Sequence, residues 1–206
     1  MDFSRREWRR LAALLSALLL AACVGTPTLD PAELPSGEWR LDPGHTSVTW
    51  QVRHLGLSWY TARFDRANAS LTFDPGAPDA AVLVATVDAA SISTGDPEFD
   101  ETLRGGAWLD AVSHAELIFR STTIEVTGPT SGRVSGELTI KGVTRPAILE
   151  TEFYGGVFNP LEGRNAIGFR ASTTIDRTEF GVGRLPGGFI SDEVRITIQA
   201  EFLKAR

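Results

Sequence analysis

Residues 135–146 read Ser-Gly-Glu-Leu-Thr-Ile-Lys-Gly-Val-Thr-Arg-Pro and combine a strand, a tight turn and the start of a second strand. Leu138 and Ile140 alternate with polar residues, which is typical of a strand with one buried face. Gly142 allows the chain to reverse. Pro146 lacks a backbone N–H and lies where a returning strand begins, so its missing hydrogen bond does little harm. The segment therefore predicts two antiparallel strands joined by a short turn.

The same alternation of apolar and polar residues recurs along the chain, with turn signals such as Asp-Pro-Gly and Gly-Gly between the runs. The apolar or small residues at alternate positions are Val48, Trp50 and Val52; Ala69, Leu71 and Phe73; Leu117 and Phe119; Ala147, Leu149, Thr151 and Phe153; Ile167, Phe169, Ala171, Thr173 and Ile175; and Val194, Ile196, Ile198, Ala200 and Phe202. We expect an antiparallel all-β domain of about eight strands.

One short helix is expected to interrupt the strands near residue 96. Asp96 suits the N-cap, Pro97 suits the first helical position, and Glu98 is favoured there by the helix dipole. We expect one to three turns, leading toward Trp108. The acidic residues of this segment could instead be paired catalytic carboxylates, but a helix start accounts for them and is preferred.

The first 22 residues have the features of an export signal. Four arginines precede an apolar run, residues 11–22, which is too short to span a bilayer as a mature helix. Residues 20–23 (Leu-Ala-Ala-Cys) form a lipobox, and Cys23 is the only cysteine of the chain. We expect Cys23 to be the lipid-modified N-terminus of a lipoprotein, in preference to a free thiol behind an ordinary cleaved signal.

The expected anchor defines a domain organisation and a location. Residues 1–22 would be removed, residues 23–36 would form an extended tether containing three prolines, and residues 37–206 would form the folded domain. The expected location is the cell envelope, with the lipoprotein facing the periplasm. Arg5 and Arg6 resemble a twin-arginine export signal, and Val24 favours the outer membrane by resemblance to lipoprotein sorting.

The charge of the mature chain excludes a nucleic-acid partner. Without its first 22 residues the chain has 16 Lys plus Arg against 24 Asp plus Glu, which is a formal net charge of −8. Such a surface repels phosphate backbones, and it lacks the basic patch that nucleic-acid binding requires.

Several further segments, taken in order with residues 135–146, resemble the YceI family of lipocalin-like bacterial envelope proteins that bind polyisoprenoid lipids. The resemblance begins at about Gly37 and continues to the C-terminus. Its other motifs are residues 41–48 (Leu-Asp-Pro-Gly-His-Thr-Ser-Val), 52–56 (Val-Arg-His-Leu-Gly), 64–65 (Phe-Asp), 71–74 (Leu-Thr-Phe-Asp), 91–95 (Ser-Ile-Ser-Thr-Gly), 100–104 (Asp-Glu-Thr-Leu-Arg) and 176–181 (Asp-Arg-Thr-Glu-Phe-Gly).

Alternation by itself permits either a sandwich with a solid core or a closed barrel with a lumen. The resemblance implies the second, a lipocalin-like β-barrel. Small residues such as Ala147 and Ala171 face the same side as Phe119 and Phe153, which could leave space inside an eight-stranded barrel. The alternative is that large and small side chains interdigitate and fill the interior.

The resemblance implies that the interior binds an isoprenoid or other long-chain apolar lipid, such as a polyprenyl or quinone-like molecule, for transport or sequestration. The residues expected to line the channel or its mouth are Trp50, Val52, Trp108, Leu109, Phe119, Leu138, Ile140, Phe153, Phe169, Ile175 and Phe180. His45, His54 and Arg177 lie in motifs of the family and are candidates for contact with a lipid headgroup. Their alternative role is structural, at strand ends and turns.

Binding of this kind requires no catalytic residue, metal or cofactor, and we expect none. A metal-dependent hydrolase is a rival interpretation, but the chain contains no His-Glu-x-x-His, no Gly-x-Ser-x-Gly and no phosphate-binding glycine loop. A second rival is a structural or stress-related interaction module with a filled interior, in which Trp59 and Tyr60 form a docking patch.

Overall fold

The computed structural model describes residues 25–183 and 188–206. The expected export signal and Cys23 lie outside the described residues. The elements are β1 (Gly37–Leu41), β2 (Ser47–His54), β3 (Ser58–Phe64), β4 (Ala67–Phe73), β5 (Val82–Asp88), β6 (Ile92–Ser93), α1 (Pro97–Arg104), β7 (Glu116–Val126), β8 (Ser131–Ile140), β9 (Val143–Asn159), β10 (Arg164–Asp176) and β11 (Ile190–Lys204).

Eight of the described strands close into an antiparallel barrel. Their order is β1-β4-β5-β7-β8-β9-β10-β11, and β1 pairs back with β11, where Trp39 lies opposite Lys204 and Leu41 opposite Phe202. The rest of β11 pairs with β2, from which β3 and β6 continue the sheet. The predicted eight-stranded lipocalin-like barrel with one short helix is thus confirmed.

The hairpin predicted at residues 135–146 is formed by β8 and β9. Ile140 pairs with Val143 across a turn in which Lys141 and Gly142 both have positive φ, 51° and 74°. Positive φ at both central residues matches the twist of the flanking strands. Pro146 lies opposite Glu137. The Lys141 Nζ donates hydrogen bonds to two other loops, at the carbonyls of Gly106 (2.7 Å) and Gly181 (3.1 Å), so the turn also ties this end of the barrel together.

Helix α1 begins as its sequence predicts. The Asp96 carboxylate accepts hydrogen bonds from the backbone N–H groups of Glu98 (3.0 Å) and Phe99 (3.3 Å). Asp100 is buried, and its Oδ1 accepts from both the N–H and the hydroxyl of Thr94, each at 2.7 Å. Two of the four acidic residues therefore hold the helix in place, which favours the structural interpretation of this cluster.

The N-terminal segment contacts the barrel along much of its described length. Thr28 forms a β-bridge with Gly156, with N–H to O distances of 2.8 and 2.9 Å. A single 3-10 turn follows at Pro31–Glu33, capped by Asp30, and Leu34 is buried in the core. The described part of the expected tether thus packs on the fold instead of extending away from it.

Gly136 on β8 shows how closely the barrel wall is packed. A Cβ atom at Gly136 would overlap the carbonyl oxygen of Arg120 on β7 and lie 2.6 Å from the Cζ of Phe119. The backbone oxygen cannot move without disturbing the β7–β8 pairing, and the phenyl ring occupies the space that a side chain would need.

We expect Gly136→Ala to lower the free energy of unfolding by roughly 1 to 3 kcal/mol, because overpacking forces the backbone to shift. Urea unfolding followed by tryptophan fluorescence measures this. Gly188→Ala is the control, since a Cβ there meets nothing within 4 Å. Equal stability of the two variants would show that the β7–β8 wall is looser than described.

Candidate functional site

A cavity of about 290 Å³ lies inside the barrel. All eight strands of the closed barrel contribute to its lining, together with β2, β3 and parts of the connecting segments. A volume of this size has room for roughly ten water-sized groups, at about 30 Å³ each. The side chains of the barrel therefore do not fill its interior. This distinguishes a barrel with a lumen from one with a solid core.

The cavity exists because small side chains lie opposite aromatic ones. Ala85 pairs with Phe119 across β5 and β7, and Ala200 pairs with Phe169 across β11 and β10. The Phe169 ring contacts two other rings, Phe153 at 5.2 Å and Phe202 at 6.1 Å between centroids. These rings pack along one side of the wall, and the alanines leave the space beside them open.

The lining offers almost only carbon to the cavity. Glu125 is its one charged residue, and this carboxylate is exposed and pairs with Arg133 at 3.1 Å. Trp50 borders the cavity deeper in the barrel. Its indole Nε1 is buried and has no hydrogen-bond partner among the described residues. The site therefore suits a long apolar group and leaves few ways to recognise a polar one.

Six of the eleven predicted lining residues border the cavity: Trp50, Phe119, Leu138, Ile140, Phe153 and Phe169. The structure places the other five elsewhere. Val52 is buried on β2 outside the lining. Trp108, Leu109, Ile175 and Phe180 belong to an apolar cluster that closes one end of the barrel. Contact of any of these residues with a ligand stays a prediction.

The closed end is formed by α1, the loop that follows it and the turn after β10. Leu103 of α1, Leu109 and Phe180 pack together beneath Ile140. Ile140 faces both this cluster and the cavity, so it forms the floor of the cavity. Four of the five predicted residues that lie outside the lining, all except Val52, thus close this end of the cavity.

The opposite end reaches the surface and is called here the mouth end. It comprises residues 25–36, the β4–β5 connection, the β7–β8 turn and the β9–β10 turn. The lining includes Pro31, Pro78 and the exposed Pro129 from these segments. None of the lining residues of this end is among those expected from the sequence. Pro31 and Leu34 escape notice because a proline-rich stretch before the first strand is typical of a tether.

Arg177 is buried and fully engaged with the protein. Its guanidinium donates to the carbonyls of Ser191 (3.0 Å), Val182 (2.9 Å) and Gly183 (3.2 Å) and pairs with Asp192 at 2.8 Å. It therefore ties the turn after β10 to the start of β11 and does not line the cavity. These contacts favour the structural role of Arg177 over a headgroup contact.

We expect Arg177→Gln to lower the free energy of unfolding by roughly 2 to 4 kcal/mol, because it removes a buried charge and leaves backbone acceptors without their donor. Arg170→Gln, at an exposed position of β10, should change it by less than about 0.5 kcal/mol. Urea unfolding measures both. A stable Arg177→Gln protein that no longer binds lipid would instead assign Arg177 to the headgroup.

His45 and His54 lie at the surface, outside the lining. The His45 Nδ1 is 2.8 Å from the Asp42 Oδ2 and 4.0 Å from the Glu201 Oε2. These three side chains are close enough to hold a metal ion. Asp42 also accepts the N–H of Gly44 at 3.0 Å, so its two oxygens already fix the corner between β1 and β2. No metal is needed to explain the arrangement.

The hydrogen bond that the His45 Nδ1–H donates to the Asp42 carboxylate raises the pKa of His45, and the nearby carboxylate charges of Asp42 and Glu201 act in the same direction. The same bond lowers the pKa of Asp42. The pair therefore stabilises the fold fully between the ordinary pKa of aspartate and that of histidine. That contribution is lost as the pH rises through the raised pKa of His45, and also as the pH falls through the lowered pKa of Asp42.

We expect the His45 imidazole to titrate above the ordinary pKa of histidine, and Asp42→Asn to lower its pKa. Asparagine keeps the acceptor for Gly44 while removing the charge, so the corner should persist. NMR titration of the imidazole resonances measures the pKa in both proteins. An unchanged His45 pKa in the variant would contradict the assigned hydrogen bond.

The fold and the cavity define a class of protein, a lipocalin-like β-barrel with an apolar interior. Residues 39–202 match the YceI-like domain, and the chain belongs to this family. It is 28% identical over 193 residues to a UPF0312 protein of Pseudomonas aeruginosa, covering 93% of this chain and all of that one. It is 30% identical over 185 residues to one of Shewanella baltica, covering 89% and 96%.

Solved structures show the same fold. BcnA of Burkholderia cenocepacia superposes with a TM-score of 0.71 at 24% identity, covering 78% of this chain and 98% of that one. A polyisoprenoid-binding domain of Saccharophagus degradans, implicated in plant cell wall breakdown, superposes with a TM-score of 0.59 at 12% identity, covering 83% and 100%.

Within residues 25–183 and 188–206, helix α1 is the one α-helix, and no helix has the length and apolar character to cross a bilayer.

Proposed function

We propose that the barrel binds the apolar tail of an isoprenoid or other long-chain lipid in its interior. The observation that carries this proposal is the continuous cavity of about 290 Å³, lined almost entirely by carbon and closed at one end by an apolar cluster. An apolar tail threaded from the mouth end toward Ile140 would exclude water from its whole length.

The free energy of such binding is favourable from water. Each buried methylene contributes about 0.8 kcal/mol, so ten or more carbons offset much or all of an association cost of about 4 to 15 kcal/mol. From a bilayer the gain is close to zero, because lipid tails are as apolar as the cavity. A site of this kind can therefore both take up and release its ligand, which suits transport or sequestration.

A solved structure supports this interpretation. The fold is shared with a domain described as polyisoprenoid-binding, which favours an isoprenoid as the ligand of this chain.

We extend the proposal to the location of the protein. The lipobox that ends at Cys23 supports an exported lipoprotein, held in the cell envelope by its acyl chains and facing the periplasm. An anchored barrel would exchange its ligand with the membrane that holds it.

An interaction module without a ligand is the alternative function. It would need an interior filled by side chains, and the cavity disfavours it. Trp59, expected to form a docking patch, is half-buried beneath the guanidinium groups of Arg53 (5.1 Å) and Arg195 (4.0 Å), so most of its ring face is already in use.

We expect Ala200→Phe to weaken binding of a fluorescent prenyl probe by about tenfold or more, equivalent to about 1.4 kcal/mol. The new ring would occupy the space beside Phe169 that the alanine leaves free. Fluorescence titration of delipidated protein with the probe measures the affinity, and thermal unfolding checks that the variant folds.

Gln199→Phe is the matched control, because the neighbouring side chain of β11 is exposed and lies outside the lining. It should bind the probe like the wild-type protein. Equal affinity for all three proteins, or no probe uptake by the wild type, would contradict a ligand site inside the barrel.

A further inference from the structure

We propose that the barrel docks on a lipid bilayer through its mouth end, with the exposed apolar residues of the β9–β10 turn inserted into the interface. This rests on the proposed function, in which the cavity takes a lipid tail. It adds the surface, the partner and the orientation: the cavity would open directly toward the membrane.

The cavity provides the first argument. Its lining reaches Pro31, Pro78 and Pro129, all from connecting segments of the mouth end. At the other end the lining stops at Ile140, below which Leu103 and Phe180 are packed. A lipid tail can therefore pass between the cavity and a bilayer without crossing water only if the mouth end faces the bilayer.

The start of the described chain provides the second argument. The Cβ position of Gly25 lies 3.7 Å from the Cγ2 of Val157 on β9, and Thr28 is bridged to Gly156. Cys23 precedes Gly25 by two residues, and two residues span at most about 7 Å. Acyl chains on Cys23 would therefore enter the bilayer beside the β9–β10 turn.

The surface at this turn provides the third argument. Phe158 is 53% exposed and Leu161 is 94% exposed, and Leu29 of the N-terminal segment is 55% exposed. The two charged residues that follow Leu161, Glu162 and Arg164, form an ion pair at 3.1 Å. Exposed aromatic and leucine side chains next to paired charges are suited to the boundary between headgroups and acyl chains.

The opposite end of the barrel supplies an internal comparison. Leu55, Leu57 and Phe189 are also exposed there, Leu57 by 82%. This second apolar surface lies beyond the closed end, far along the strands from Gly25 and from the opening of the cavity. Its apolar residues are exposed like those at the β9–β10 turn, but they lie at the opposite end of the barrel. It therefore serves as the control for the position of membrane contact.

The test uses the full-length lipidated protein in vesicles of phosphatidylethanolamine and phosphatidylglycerol. A cysteine is introduced by Leu161→Cys or, as the control, by Leu57→Cys, and is labelled with an environment-sensitive nitrobenzoxadiazole dye. Lipidation consumes the thiol of Cys23, the only native cysteine, so the dye reports one position. Spin-labelled acyl chains in the vesicles then quench any dye that enters the bilayer.

We expect the dye at position 161 to shift to shorter wavelength and to be quenched at least threefold more than the dye at position 57. Equal quenching at both positions, or stronger quenching at position 57, would overturn the proposed orientation. Dimerisation of the labelled protein through position 161 in the absence of vesicles would also overturn the proposal, because the partner of this surface would then be a second copy of the chain.

A double variant separates this inference from the proposed function. The variant carries Phe158→Ser and Leu161→Ser. Both positions lie outside the cavity lining, so the variant protein should bind the prenyl probe in detergent with unchanged affinity. For the vesicle measurement the dye is attached to a cysteine introduced by Leu29→Cys. The double variant should then show at most half of the quenching that the same label shows without the two serine substitutions. Unchanged quenching would contradict docking through this turn, whereas loss of probe binding by the wild type would refute the cavity function alone.

Discussion

Closure of the sheet is the constraint on which the rest of the structure depends. β11 is 15 residues long, so it can pair with β2 along most of its length and with β1 at its C-terminal end. Trp39 of β1, fully buried, lies opposite Lys204 in this closing pair. Once the ring is closed, the inward side chains of eight strands decide whether anything else fits inside.

Those side chains leave the interior partly empty. A solid core would need large residues where Ala85 and Ala200 stand, and the neighbouring phenyl rings pack against each other instead of filling that space. The two ends then differ, because α1 and its adjoining loops cover one end with Leu103 and Phe180, while the other is bordered by turns. The asymmetry gives the cavity a floor and a mouth.

Local features of the fold could be predicted from the sequence, and long-range ones could not. Residues 135–146 and Asp96 predict a hairpin and a helix start because turn chemistry and capping act within a few residues. Alternation indicates which side chains of a strand share its inward face, but not which of them meet the cavity. Ile175 belongs to the expected set, yet it packs in the apolar cluster at the closed end. Leu34 and Arg177 owe their roles to contacts with distant strands, which periodicity does not record.

The central claim is that the space inside the barrel holds one apolar tail. Native mass spectrometry of the protein, extracted gently from its own cells, tests this most directly. The account predicts a population heavier than the mature, acylated protein by one non-covalently bound lipid, which is lost in the Ala200→Phe variant and persists in Gln199→Phe. Bare protein in every preparation, with no lipid gained after incubation with prenyl lipids, would contradict it.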